Sequence, residues 1–123
     1  ILLVDDEQMI LDIGKAMLVE LGYHPLVARS GQEALDIFAR EKAKIDLVIL
    51  DMIMPVLGGG DTYDRLKAID TGVKVLLASG YSLSGEASQI LNRGCNGFIQ
   101  KPFNLEELSR KIRQVLDAEQ CAS

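Results

Sequence analysis

Four short apolar runs in this chain end on a residue that carries charge or a hydroxyl. Ile1-Leu2-Leu3-Val4 runs into Asp5-Asp6-Glu7, Leu47-Val48-Ile49-Leu50 into Asp51, Val73 to Ala78 into Ser79, and Gly97 to Gln100 into Lys101. If the runs are neighbouring strands, three carboxylates meet at one edge. They cannot all stay ionised without cations beside them, because like charges raise each other's pKa. Lys101 offsets one. A hard divalent cation such as Mg²⁺ or Mn²⁺ would offset the other two, since such ions take carboxylate, carbonyl and water oxygens. A carboxylate beside that cation and an ammonium, with a hydroxyl near, is equipped to receive a phosphoryl group, whose oxygens need neutralising as it transfers. Asp51 is the best nucleophile candidate, because its run is central and it stands apart from the acidic pair. Taken alone, Asp51 reads as a helix cap or a turn residue. Polar groups ending four of five strands are not what packing alone produces.

The elements that must position these groups alternate. Unbroken apolar runs read as strands buried on both faces. The first helix spans Gln8 to Leu21, with Ile10, Ile13, Met17 and Leu21 at core spacing and Gly22 as its stop. Pro25 to Ala28 is a short strand whose proline suits a sheet edge. Ser30 and Glu33 form a capping box for a helix from Gln32 to Glu41 that buries Ala34, Leu35 and Phe38. Gly58-Gly59-Gly60 precede a helix over 61–69. Ser84 to Arg93 is a weaker helix, and Asn104 with Glu107 caps the last one, which runs to about Ala118. The pattern is (βα)₅, an α/β three-layer sandwich around a parallel five-stranded sheet, expected in the order 2-1-3-4-5. That order sets the first and third strands side by side, where ligands bind in open sheets of this type.

The totals narrow the function classes. At 123 residues the chain is one domain, 1–123, with a polar tail at about 119–123. A net charge of −5 argues against a nucleic-acid surface, and no apolar run approaches a membrane span. Cys95 and Cys121 are too few and too isolated for a disulfide framework or a zinc site, which suits a reducing cytoplasm. His24, the single histidine, reads as a loop residue. The chain opens on a strand without an initiator Met, so the expectation is a segment of a longer protein.

Together Leu3-Val4-Asp5-Asp6-Glu7, Leu50 to Pro55, Ala78-Ser79-Gly80 and Lys101-Pro102-Phe103 resemble the receiver domain of two-component response regulators, which is flavodoxin-like. The resemblance covers essentially the whole chain, with every motif in order. It implies a phosphoacceptor domain rather than an enzyme, with Asp51 phosphorylated from the phosphohistidine of a histidine kinase or a histidine phosphotransfer domain. It implies Mg²⁺ on Asp6, Asp51 and the Ile53 backbone carbonyl, with Asp5 acting largely through water. Lys101 would contact the phosphoryl oxygens, Lys101-Pro102 would be a cis peptide, and Ser79 and Phe98 would form the conformational switch. Ser79 and Phe98 stand where Thr and Tyr are commoner. The Ala78-Ser79-Gly80-Tyr81-Ser82 and Gly94 to Phe103 wording is similar to receivers of hybrid sensor kinases. The partners implied exclude direct nucleic-acid or membrane contact, and the state expected is a monomer or weak dimer.

Two features are individual to the chain. Ile53 and Tyr81, each two residues past a site residue, are bulky where the family tunes access of the hydrolytic water, so a long-lived phosphoaspartate is expected. Met9, Leu11 and Val19 fall off the assigned core stripe of the first helix. With Pro102 and Phe103, Met9 and Leu11 would make a docking face for the kinase. The rival chemistries fit less well. A phosphatase of the haloacid-dehalogenase class wants a second Asp where Ile53 stands. A nucleotide-binding domain wants glycines where Asp5-Asp6-Glu7 stand. A degenerate receiver kept only for interaction would not retain the full residue set.

Overall fold

The computed structural model describes residues 1–52, 59–79, 95–101 and 103–122. Five strands, β1 (Leu2–Val4), β2 (Leu26–Ala28), β3 (Val48–Asp51), β4 (Val75–Ser79) and β5 (Gly97–Gln100), form one parallel sheet in the order β2-β1-β3-β4-β5. The described helices are α1 (Gln8–Glu20), α2 (Gly31–Glu41), α3 (Gly59–Ile69) and α4 (Leu105–Ala122). The expected helix over 84–93 lies outside the described residues. None of the described helices is long and apolar enough to cross a membrane.

Alternation along the strands builds two cores, because successive side chains of a strand point to opposite faces. Leu2, Val4, Val48, Leu50, Val75 and Leu77 face one side, where Ala34, Leu35 and Phe38 of α2 and Tyr63 and Leu66 of α3 cover them. Leu3, Ile49, Leu76, Ala78 and Ile99 face the other, covered by Leu11 and Leu18 of α1 and Leu108, Ile112 and Val115 of α4. Two helix layers thus sandwich the sheet, as the apolar runs require. β2 lies at the edge, as Pro25 implied. Gly22 ends α1 at φ 91°, a left-handed conformation that glycine takes without steric cost. The Ser30 hydroxyl accepts the Glu33 N–H at 3.1 Å, and the Asn104 side chain accepts the Glu107 N–H at 2.8 Å.

The buried face of α1 is shifted from the expected one: Met17 and Leu21 do pack against the core, but they lie at its margin. Leu11, Gly14 and Leu18 are buried, whereas Ile13 is 47% exposed and Ile10, Met17 and Leu21 are only partly covered. The reason is Gly14. A Cβ built there would stand 2.6 Å from Cδ2 of Leu3, so α1 lies against β1 at a distance only a glycine allows without Leu3 moving. A hydrophobic pattern gives glycine no weight, and the stripe through Gly14 is invisible to it. Leu11 is therefore core, at 1% exposure, and not part of an outer docking face; Met9 and Val19 are on the surface as expected.

Candidate functional site

The carboxyl ends of β1, β3, β4 and β5 converge as the strand order demands. Parallel pairing sets Val4 beside Leu50 and Asp51 beside Ala78, so Asp5 and Asp51 leave adjacent strands at the same level. The Asp5 N–H still donates to the Ala28 carbonyl and the Met52 N–H to the Ala78 carbonyl, so the backbone at both acids remains tied into the sheet. Asp5 and Asp51 are 2% and 4% exposed, and carboxylate oxygens of Asp5, Asp6 and Asp51 lie within 4.8 Å of one another. Asp6 is on the surface.

Lys101 closes the cluster. Its ammonium donates to Asp5 Oδ2 at 2.8 Å and to Asp51 Oδ1 at 3.0 Å, joining residues 96 and 50 positions apart in sequence. Burial alone would lower the Lys101 pKa, but the hydrogen bonds to Asp5 and Asp51 and their charges outweigh it and hold the ammonium above the usual lysine value. It stays a cation and a donor throughout the physiological range. One ammonium still faces three carboxylates, which leaves a formal excess of two negative charges.

The donor set suits a hard divalent cation. All three side chains offer carboxylate oxygens, the ligand type Mg²⁺ takes through one or two carboxylates together with water. Both carboxylate oxygens of Asp5 are engaged by protein donors: its Oδ1 accepts the Glu7 N–H at 3.0 Å and its Oδ2 accepts Lys101. That fits an outer role, through water, better than direct ligation. Asp6 and Asp51 are the direct side-chain ligands that the family resemblance implies, and both belong to this cluster. Ile53, whose carbonyl was assigned to the same cation, lies outside the described residues, as do Tyr81 and Pro102.

Ser79, 6% exposed, is the last residue of β4, and its carbonyl accepts the Lys101 N–H at 2.6 Å. Phe98 is partly buried and packs against the α2–α3 core, whereas the next residue, Ile99, enters the opposite one. Met9 is 71% exposed, and Phe103 is half-buried against the α1–α4 core. A small cavity of about 70 Å³ beside Lys101 is lined by Ile10, Ile13, Gly14 and Phe103. Two contacts escaped the sequence reading. Asp5 and the Glu7 amide form an Asx-type turn, a local pattern that Asp5-Asp6-Glu7 already carries. The bonds from Cys95 and Asn96 to Val75 at the opposite end of the sheet join distant segments, and no local signal marks them.

Comparison with known proteins identifies the family and the fold. The family model described as "Response regulator receiver domain" matches residues 1–113. Among curated relatives, the transcriptional regulatory protein CpxR of Escherichia coli is 37% identical over 117 residues, which are 94% of this chain and 48% of that protein. The sensor kinase CckA of Brucella abortus is 31% identical over 95% of this chain and 12% of its own length. The chain thus spans about half or less of the curated relatives described here. Among solved structures, a response regulator receiver domain protein from Clostridium thermocellum superposes with a TM-score of 0.91 at 31% identity, covering 99% of this chain and 97% of that one. A CheY-like receiver domain protein from Methanospirillum hungatei gives 0.89 at 31% identity, covering 99% and 96%.

Proposed function

The chain belongs to the response regulator receiver domain family, the phosphoacceptor domains of two-component signalling, and on that premise we propose that Asp51 is its phosphoacceptor. The observation that carries the assignment is the Lys101 ammonium shared between Asp5 and Asp51 at 2.8 and 3.0 Å, across the ends of three strands. Asp51 is the acid of the cluster that ends the central strand, and it is held by a cation able to follow a phosphoryl group.

In the proposed reaction a carboxylate oxygen of Asp51 attacks the phosphorus of a partner's phosphohistidine. The P–O bond forms as the P–N bond breaks, and the electron pair of the broken bond stays on the imidazole, whose other ring nitrogen carries a proton, so that it leaves neutral. The product is an acyl phosphate on Asp51. Lys101 donates to the phosphoryl oxygens and limits the charge that develops on them. Asp6 and Asp51, with the Ile53 carbonyl, would hold Mg²⁺, and Asp5 would orient its water. When bound, the cation supplies further neutralisation of the same oxygens. The Ser79 hydroxyl is the candidate to turn toward the new phosphoryl group, with Phe98 following inward. Phe98 has no hydroxyl, so its burial leaves no polar atom unpaired. The domain then acts as a signalling module whose turnover is limited to its own phosphorylation and dephosphorylation.

The partner side of the reading rests on the outer face of α1, with Met9 at its start and Phe103 beside it. The sensor-kinase relative supports a hybrid kinase as the parent, with this domain as its acceptor. Ile53 and Tyr81 are proposed to shield the acyl phosphate from water. Unchanged phosphate release in Ile53→Asn would sink that idea.

The test is direct. Acetyl phosphate with Mg²⁺ should add one phosphoryl group, seen by intact mass, and Asp51→Asn should remove it. Addition that persists in Asp51→Asn would overturn the assignment. Transfer from a phosphorylated histidine phosphotransfer protein should slow in Met9→Asp, with the acetyl phosphate reaction unaffected.

A further inference from the structure

We infer that Asn96, at the amino end of the sheet, is a positioning residue for Lys101 at the carboxyl end. The inference rests on the reading of Asp51 as phosphoacceptor. β5 is an edge strand of four residues, with β4 as its sole neighbour among the described strands. An edge strand is anchored from one side, so its position along the neighbour depends on few bonds. In the β4–β5 ladder the backbone groups of Val75 and Ser79 both point to β5. At the Ser79 end the carbonyl accepts the Lys101 N–H at 2.6 Å.

At the Val75 end three bonds come from one dipeptide. The Asn96 N–H donates to the Val75 carbonyl at 3.1 Å, the Asn96 side-chain oxygen accepts the Val75 N–H at 2.9 Å, and the Cys95 thiol donates to the Val75 carbonyl at 3.2 Å. The Asn96 side chain does for Val75 what a further ladder carbonyl does inside a longer parallel strand.

The core disfavours whole-residue slips of β5. A one-residue shift would exchange the faces of Phe98 and Ile99. A two-residue shift would put a side chain where Gly97 sits, and a Cβ there already meets Leu76 and Val115 at 3.2 Å. Small sliding along the strand is not disfavoured by either, and the Asn96 clasp opposes it. Lys101 follows β5 directly, five residues from Asn96 and about 16 Å along an extended chain. Its side chain is 13% exposed and has to meet two carboxylates at once. Displacement at the clasp is carried along the strand to the ammonium.

The bland alternative makes Asn96 a strand-start bond that adds stability and nothing more. Asn96→Ala separates the two, because the backbone that carries the acids belongs to β1 and β3 and not to β5. We expect phosphoryl uptake from acetyl phosphate at saturating Mg²⁺, measured per folded molecule, to fall on the order of tenfold, less than the roughly hundredfold a 1 Å misplacement can cost. Mn²⁺ affinity, read by electron paramagnetic resonance, should hold. The ¹³Cε signal of Lys101 should move toward that of solvent-exposed lysines. Asn96→Asp, which keeps an acceptor oxygen, should restore both rate and signal. A wild-type rate with an unmoved Lys101 signal in Asn96→Ala overturns the inference, and so does a parallel loss of Mn²⁺ affinity, which would mean general loosening. If the unsubstituted protein takes up no phosphoryl group, the Asp51 reading fails, and the Lys101 signal still decides the positioning.

Discussion

The two ends of the sheet use polar side chains in opposite ways. At the amino end each named polar group serves the backbone. Asn96 and Cys95 bond Val75, and the Lys74 ammonium donates to the Leu116 carbonyl of α4 at 2.9 Å. At the carboxyl end Asp5, Asp51 and Lys101 are turned on one another, with Asp6 adding a third carboxylate. The first arrangement closes the ladder and ties down a helix. The second concentrates like charge where folding alone would disperse it, which is the mark of a site kept for a ligand or a reaction. A buried polar group is therefore informative through what it bonds, more than through its burial.

Paired substitutions across the sheet test this contrast, beginning with the largest effect. Asp51→Asn should abolish phosphoryl uptake from acetyl phosphate, whereas Asp46→Asn, in the bend that precedes the same strand, should leave it intact by intact-mass assay. Loss in both would break the contrast. The two lysines come next. Lys101→Met should lower uptake on the order of a hundredfold, the scale of losing one donor to a developing negative charge. Lys74→Met should keep the rate and lower stability in urea unfolding by about 1 kcal/mol for the lost bond to the Leu116 carbonyl, with its other contacts adding to that.

Alkaline unfolding should separate the ends by pH. Burial pushes the Cys95 thiol above its ordinary 9.0, against the backbone hydrogen bonds and the Lys67 charge. Lys101 is also raised, from 10.5, because the bonds to Asp5 and Asp51 outweigh burial. In both cases the folded pKa exceeds the unfolded one, so the folded state binds the proton more tightly. Each contribution is fully present below the ordinary value and is lost as pH rises through the folded one. Stability should therefore begin to fall above 9.0 through the amino end, and again above 10.5 through the carboxyl end. Cys95→Ala should flatten the first part of the profile only, and Lys101→Met the second only.

The smallest effect carries the sharpest sign. Asp6→Asn should raise metal-free stability by about 0.5 kcal/mol, since it removes a like charge from an exposed position. It should also weaken Mn²⁺ binding. A loss of stability instead would mean that the carboxyl end is assembled for folding, like the amino end.

Much of this was legible in the residues themselves. A strand end is marked in sequence by a polar residue closing an apolar run, and Asp5, Asp51, Ser79 and Lys101 all carry that mark. Once the strand order follows from alternation, their meeting follows too. The buried face of α1 was only partly legible: Met17 and Leu21 do pack against the core, but its centre is Gly14, chosen by contact with Leu3 and silent in any count of apolar residues. Leu11 was consequently read as surface. The clasp of Asn96 on Val75 was hidden for another reason. An asparagine before a strand looks like any turn residue until its partner, 21 positions away, is in view.

The Gly14 contact has a mechanical side. α1 lies on β1 without the spacer that a side chain at residue 14 would provide, and protein interiors compress little. The outer surface of α1 carries Met9 and Ile13, exposed by 71% and 47%, while its inner surface bears on Leu3, two residues before Asp5. A load on the outside of this helix meets no slack layer before it reaches the strand that ends in the acid pair. The helix is less a cushion over the sheet than a stiff keel joined to it.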